Sequence, residues 1–420
     1  MIKMDIREYK AVTGFFLLVL LTFMFAFTLL KNVNPIVDEG SHYLQIQLVL
    51  NFFKGEQLII HPVMTMIPGY HFVMAGFSYI FDHLSVSFIR LLSTIFSYIS
   101  IIIFFLLLKL EESHSQIPVI KLIQYAFFPL IFPFFFLIYT DPFSVLLILL
   151  SWLLVLNKRY YIGGIIAIAS VLVRQSNLIW LIFMITYIYY ESNQFQFNLA
   201  ILTNWLKDCW SFLLGIIIFG LFVLVNGSMV IGKGADQYFP TFLYFGNTYF
   251  CLFMFFFLFL PLNISNRHKI HNLIKTNPWV IVGIFAFFIF YLLTFNQLSP
   301  QNLKGGERLI NYFLRNEILI TFTSSIWLKI LFFIPVVYSL LSIAITPLYK
   351  KSYYLLYPFT VLSFIPIWQI FPRYSIIPLI LFILFKETNS KLIEYSTTAI
   401  WVVLSIFLFY GTLHGWFYSG

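Results

Sequence analysis

Continuous apolar runs constrain this chain more than any other feature. Ile101-Ile102-Ile103-Phe104-Phe105-Leu106-Leu107-Leu108 is one of them, and comparable runs recur along most of the sequence. A run without polar alternation does not fit a membrane β-barrel, whose strands alternate apolar and polar positions. It fits helices whose whole circumference meets lipid or other helices. Composition agrees: 61% of the 420 residues are apolar and only 10% are Asp, Glu, Lys or Arg, against about 25% charged in soluble domains. A water-soluble fold has no core large enough to hide this much apolar surface. A soluble enzyme, a disordered chain and a disulfide scaffold are therefore excluded. At ~20 residues per span, the apolar positions allow at most about 13 helices. The expected fold is all-α: a polytopic transmembrane helical bundle of about 12–14 membrane segments, some of them short. It forms one integral membrane domain over 1–420, with a large first external loop carrying short interfacial helices.

The formal net charge of +9 suggests a nucleic-acid partner at first sight. The basic residues are instead scattered among short loops, as a positive-inside topology requires, so no nucleic acid is expected. Lys3, Arg7 and Lys10 precede the first apolar segment, 11–30, which places the N-terminus in the cytoplasm. Lys158-Arg159, Arg267 with Lys269, Lys350-Lys351 and the stretch from Lys386 to Lys391 form a further cytoplasmic set. The two halves agree if segment 68–82, which opens with Pro68-Gly69, fails to cross fully. Segments 119–139, 241–262 and 354–371 read as single helices. The longest polar stretches, 31–67, 226–240 and 296–325, then share one external face. No small-residue cleavage site follows 11–30, so that segment reads as a span and not a signal peptide. Cys209 and Cys251 lie in or beside apolar runs and read as inert core residues.

The external face carries the candidate chemistry. Asp38-Glu39 stands just beyond the first helix, with His42 about one helical turn from Asp38. It is either a solvated loop or the site of a base, Asp38 or Glu39, that takes a proton from a hydroxyl. The stretch Tyr43–Gly55 has a helical apolar pattern suited to lying flat at the interface. Asp141, before Pro142, reads both as a helix-start residue and as a second site carboxylate. Arg174-Gln175 interrupts an apolar stretch; an arginine there needs an anion, either a substrate or Asp141. Gly232-Lys233-Gly234 lacks the complete phosphate-loop pattern, yet Lys233 is placed to meet a phosphate from outside the membrane. Arg308 and Arg373 add two guanidinium groups, which grip phosphate in a bidentate manner; interfacial snorkelling is the alternative for Arg373. The histidines are dispersed, so no zinc cluster is evident, and neither a metal nor a cofactor is expected.

Four stretches together resemble a known enzyme family. They are Val37-Asp38-Glu39 with His42 and Gln45; Phe128-Pro129-Leu130-Ile131-Phe132-Pro133 running to Thr140-Asp141; Leu172-Val173-Arg174-Gln175-Ser176-Asn177; and Pro372-Arg373-Tyr374. In this order they resemble the endoplasmic-reticulum family that adds the terminal α-1,2-linked glucose to the dolichol-linked oligosaccharide. The chain departs from that pattern at His61, at Phe371 and at Glu307–Ile310.

The resemblance implies a membrane glycosyltransferase of the GT-C kind with a polyprenyl-phosphate sugar donor and a lipid-linked glycan acceptor. It implies one inverting displacement, with Asp38 as base and with Arg174, Arg308 or Arg373 stabilising the leaving phosphate. His42, Asp141, Gln175 and Lys233 are the other expected substrate contacts. The expected location is the endoplasmic-reticulum membrane with a luminal site, or the plasma membrane in a prokaryote. Transfer of another sugar, and transport of a lipid-linked sugar, are the competing readings. Transporters commonly carry inverted repeats, and none is visible here.

Overall fold

A computed structural model describes residues 6–111, 119–193, 196, 198–232, 243–297, 299, 302, 313–388 and 390–418. The described residues are helical, with only two isolated β-bridges, Phe313 with Tyr418 and Leu348 with Lys386. The chain divides into two compact units, residues 1–122 with 134–236 and residues 123–133 with 237–420.

In the first unit α1 (Ile6–Leu30), α2 (Glu39–Phe53), α3 (Gly69–Ile80) and α4 (Val86–Glu111) come first. After α5 (Val119–Ala126), at the boundary in sequence, follow α6 (Thr140–Leu156), α7 (Tyr160–Val173), α8 (Leu178–Asn193) and α9 (Leu199–Asn226). The second unit holds α10 (Gly246–Leu258), α11 (Leu260–Thr276), α12 (Trp279–Thr294), α13 (Leu314–Thr323), α14 (Ile326–Ile345), α15 (Leu356–Phe364), α16 (Ile376–Phe385) and α17 (Lys391–Leu413). This is an all-α polytopic membrane protein. Lys10–Leu30, α4, α9, α14 and α17 are long and apolar enough to cross a bilayer, and the pair α10–α11 makes a sixth span if counted as one. Four shorter apolar helical stretches, at 140–156, 160–173, 279–294 and 372–385, supplement them. α3 is about 18 Å long by helical rise, short of a hydrocarbon core of ~30 Å.

Several segments break where the sequence pattern looked continuous. The stretch 119–139 ends its helix at Ala126 and re-forms as a 3₁₀ turn at Phe132–Phe136. Pro129 and Pro133 supply the cause, since each lacks an N–H for the helical ladder. The stretch 241–262 is bent by 98° between α10 and α11, where Pro261 sits in the first turn of the second helix. The segment 354–371 shortens to α15, and the loop 296–325 contains α13.

The core of the first unit is where α2 and α3 meet α4, α6 and α7. Ile46, Val49, Tyr70, Met74, Ile89, Ile138, Leu146 and Val173 are all buried there. α2 presents Glu39, His42, Gln45, Ile46, Val49 and Leu50 inward, which is one face at helical spacing. α7 comes close to α9 through Gly164: a Cβ there would lie 2.8 Å from the backbone nitrogen of Phe212. Small residues permit such approach where lipid gives helices no hydrophobic reason to associate. In the second unit aromatic rings fill the core, with Phe253 stacked on Phe332 at 4.2 Å between centroids.

Candidate active site

The polar centre of the first unit begins at the end of α1. Six non-helical residues, 31–36, lead into Val37, whose φ of 50° is rare for a β-branched residue. Asp38 follows as the residue flanking the start of α2, and it is exposed. Its backbone N–H donates to the Tyr139 hydroxyl at 3.3 Å. The adjacent Glu39, in contrast, is completely buried. Arg90, equally buried on α4, meets it with two bonds, Nε to Oε1 at 3.0 Å and Nη2 to Oε2 at 2.5 Å. The backbone N–H groups of Ile36 and Ile138 donate to the same carboxylate at 2.8 and 2.7 Å. Both oxygens of Glu39, one of the two carboxylates expected as a base, thus accept hydrogen bonds from Arg90 and the backbone and hold Glu39 as a buried anchor. Asp38 is left as the candidate.

His42 is buried one turn further along α2. Its Nδ1 lies 3.0 Å from Nε2 of His71 on α3, and the two rings stack at 5.2 Å. The Tyr139 ring packs edge-on against His42 at 5.7 Å. Burial pushes the His71 imidazole well below the usual histidine range, and the adjacent His42 lowers it further.

The Asp141 carboxylate, in the first turn of α6, forms an ion pair with Nη1 of Arg174. Asp141 caps nothing, because the flanking position is held by Tyr139 in extended conformation. Of the two partners raised for Arg174, the structure shows Asp141, and the arginine keeps 14% of its side chain exposed. Gln175 donates to the Thr65 carbonyl at 3.2 Å. Ile231 donates its N–H to the same carbonyl at 3.2 Å. Gly232, with φ of 82°, packs so tightly that a Cβ would lie 2.4 Å from the Met64 carbonyl oxygen. The loop between α2 and α3, the break after α7 and the chain following α9 are therefore drawn together. Lys233 and Arg308, both expected as substrate contacts, lie outside the described residues.

Arg373 belongs to the second unit, in the 3₁₀ turn Pro372–Ser375 that leads into α16. Its guanidinium lies 4.6 Å from the centroid of Phe371, and that of Arg315 lies 3.7 Å from the same ring. Asn247 at the start of α10 holds the segment before this turn, donating to the Gln369 carbonyl at 2.8 Å and accepting from the Phe371 N–H at 3.0 Å. In the same unit α10, α14, α15 and α16 line a groove of about 190 Å³. Leu252, Phe255, Ile343, Phe364, Pro378 and Leu379 are among the residues that line it.

Arg90, His71 and Arg315 escaped sequence reasoning. Arg90 had a readable signal, an arginine inside the otherwise apolar run 86–108. Among the described residues, no group of three or more His, Cys, Asp or Glu is placed to hold a metal ion.

The sequence model of the DIE2/ALG10 family matches residues 32–198. A Candida albicans protein named Dol-P-Glc:Glc(2)Man(9)GlcNAc(2)-PP-Dol alpha-1,2-glucosyltransferase is 26% identical over 287 residues, covering 64% of this chain and 62% of that protein. A protein of the same name from Debaryomyces hansenii is 31% identical over 122 residues, 25% of this chain and 26% of the relative. One from Rattus norvegicus is 23% identical over 266 residues, 50% of this chain and 56% of the relative. The chain thus matches less than two thirds of the length of these relatives. No solved structure matches it.

Proposed function

We propose that the chain is a member of the DIE2/ALG10 family, whose model matches residues 32–198, and that it acts as a membrane α-1,2-glucosyltransferase. In this reading glucose moves from a polyprenyl (dolichyl) phosphate donor to a lipid-linked glycan, on the luminal face of the endoplasmic-reticulum membrane. The observation that carries it is Asp38. It is an exposed carboxylate at the start of α2, inside the segment that matches the family, beside a carboxylate that is fully committed to structure.

The chemistry follows from the groups present. The Asp38 carboxylate accepts the proton of an acceptor hydroxyl. The resulting oxygen attacks the anomeric carbon as the bond from that carbon to the donor phosphate breaks. One displacement inverts the centre, so a β-linked donor gives an α-linkage. The leaving polyprenyl phosphate gains negative charge, which a preorganised cation stabilises. Arg174, partly exposed, is our proposed cation in the first unit, and Arg373 is proposed as a further donor contact. The apolar groove lined by α10, α14, α15 and α16 suits part of an isoprenoid chain. A GT-C architecture and a single functional domain belong to the same proposal.

Asp38→Asn tests it. The variant should lose at least about 100-fold in turnover, the lower range for a general base, while remaining folded. A wild-type rate removes Asp38 from the chemistry. A panel of polyprenyl-phosphate sugars, run with the wild type in liposomes, distinguishes glucose from other donors. Movement of labelled lipid across the bilayer without product would replace the enzyme reading by transport.

A further inference from the structure

We propose that Arg90, Glu39 and Tyr139 form a positioning device that holds Asp38 in its reactive place, an inference that rests on Asp38 being the base. Arg90 carries five N–H donors in a rigid fork, and every one has an acceptor. Nη1 donates to the carbonyls of Leu30 and Val33 at 2.6 and 2.7 Å. Nη2 reaches the Asn34 carbonyl at 3.3 Å and Glu39 at 2.5 Å. Nε takes the other Glu39 oxygen at 3.0 Å. One side chain from α4 therefore gathers the end of α1, the turn after it and the start of α2. Glu39 completes the frame by accepting from Ile36 on one side and Ile138 on the other.

Asp38 is the residue this frame encloses. Ile36 and Glu39 are fixed around it, and Val37 between them is held at φ 50°. A β-branched residue keeps such a conformation only where its surroundings enforce it. Tyr139, next to the fixed Ile138, accepts from the Asp38 N–H. The base thus sits on a backbone pinned from both sides, although its own side chain is exposed. A base must be held within a fraction of an ångström of its proton, and a misplacement of about 1 Å costs roughly 100-fold in rate. A purely structural ion pair would stabilise the fold without any need to bracket that one residue.

Two variants and two readouts decide the matter. Arg90→Lys keeps the charge but removes the fork; Tyr139→Phe removes one hydrogen bond and leaves the ring packing. With both substrates titrated, Arg90→Lys should lower kcat by about 100-fold at unchanged KM. Tyr139→Phe should lower kcat by about 3- to 10-fold, the range for one neutral hydrogen bond. Independently of activity, Asp38→Cys provides an exposed thiol in a protein whose two native cysteines are buried. Maleimide should label that thiol at least about 10-fold faster once Arg90→Lys is added, because the turn is no longer held. Wild-type kcat in both folded variants, or an unchanged labelling rate, overturns the positioning role. If Asp38→Asn keeps full activity, the base assignment falls instead, and the labelling rates alone judge the frame.

Discussion

The Asp141–Arg174 pair offers the sharpest measurement, because its two ends are buried to different degrees. Asp141 is 3% exposed and Arg174 is 14% exposed. Removing one partner of a buried pair costs about 3–5 kcal/mol, since the other charge is left without compensation. Arg174→Met abandons a carboxylate whose Oδ2 already has no hydrogen-bond partner, so it belongs near the upper end of that range. Asp141→Asn removes the carboxylate from a partly exposed guanidinium on a flexible stem, which can turn its head toward water, so it belongs near the lower end. Carrying both changes leaves neither charge, and the cost should fall below the sum of the two by at least about 2 kcal/mol. At about 2–4 °C per kcal/mol for a unit of this size, the single variants should melt roughly 6–20 °C below wild type. The protein carries its own reporter. Cys209 lies buried in α9 of the first unit, and Cys251 lies buried in the second. In a Cys251→Ala background, thiol labelling against temperature reads the first unit alone. Polyprenyl phosphate added in excess should raise the midpoint of wild type and of Asp141→Asn, but not that of Arg174→Met, if Arg174 meets the donor phosphate. Additive single effects, or shifts under about 2 °C, would refute the reasoning from burial.

The remaining expectations concern packing and pH. Gly164→Ala should destabilise the first unit and push α7 from α9, because the added Cβ meets the Phe212 backbone nitrogen at 2.8 Å; a lower midpoint of Cys209 labelling would show it, and an unchanged midpoint would not fit the contact. His71 should make stability depend on pH. Its folded-state titration lies well below the ordinary value of 6.5, so below that value the unfolded chain takes up a proton that the folded one refuses. Stability is fully present above about pH 6.5 and declines as pH falls, at up to about 1.4 kcal/mol per pH unit. His71→Gln should flatten this slope between pH 6.5 and 5; an equal slope in both proteins would assign the effect to another group.

How much of this was legible beforehand depends on the kind of signal each residue leaves. The helices were visible because apolar runs of fixed length leave few alternatives in a bilayer. Their breaks were less visible. Pro129, Pro133 and Pro261 stood in plain sight, yet a proline ends a helix in one setting and opens its first turn in another. Arg174 is conspicuous because it interrupts an apolar stretch, and Asp141 is a carboxylate available to pair with it. Arg90 sent the same signal from within α4 and belonged in the same class.

What sequence could not separate was Asp38 from Glu39. The two are neighbours with the same functional group, and at the start of a helix consecutive residues diverge by roughly 100° around the axis. That angle puts one carboxylate at the surface and the other in the core. The choice between them is made by Arg90, 51 residues away in sequence, and by the Ile138 N–H, 99 residues away. Neither distance is readable from local pattern. The same tertiary contacts that decide which carboxylate is buried also leave its neighbour exposed, so the anchor and the candidate base are set by one packing event.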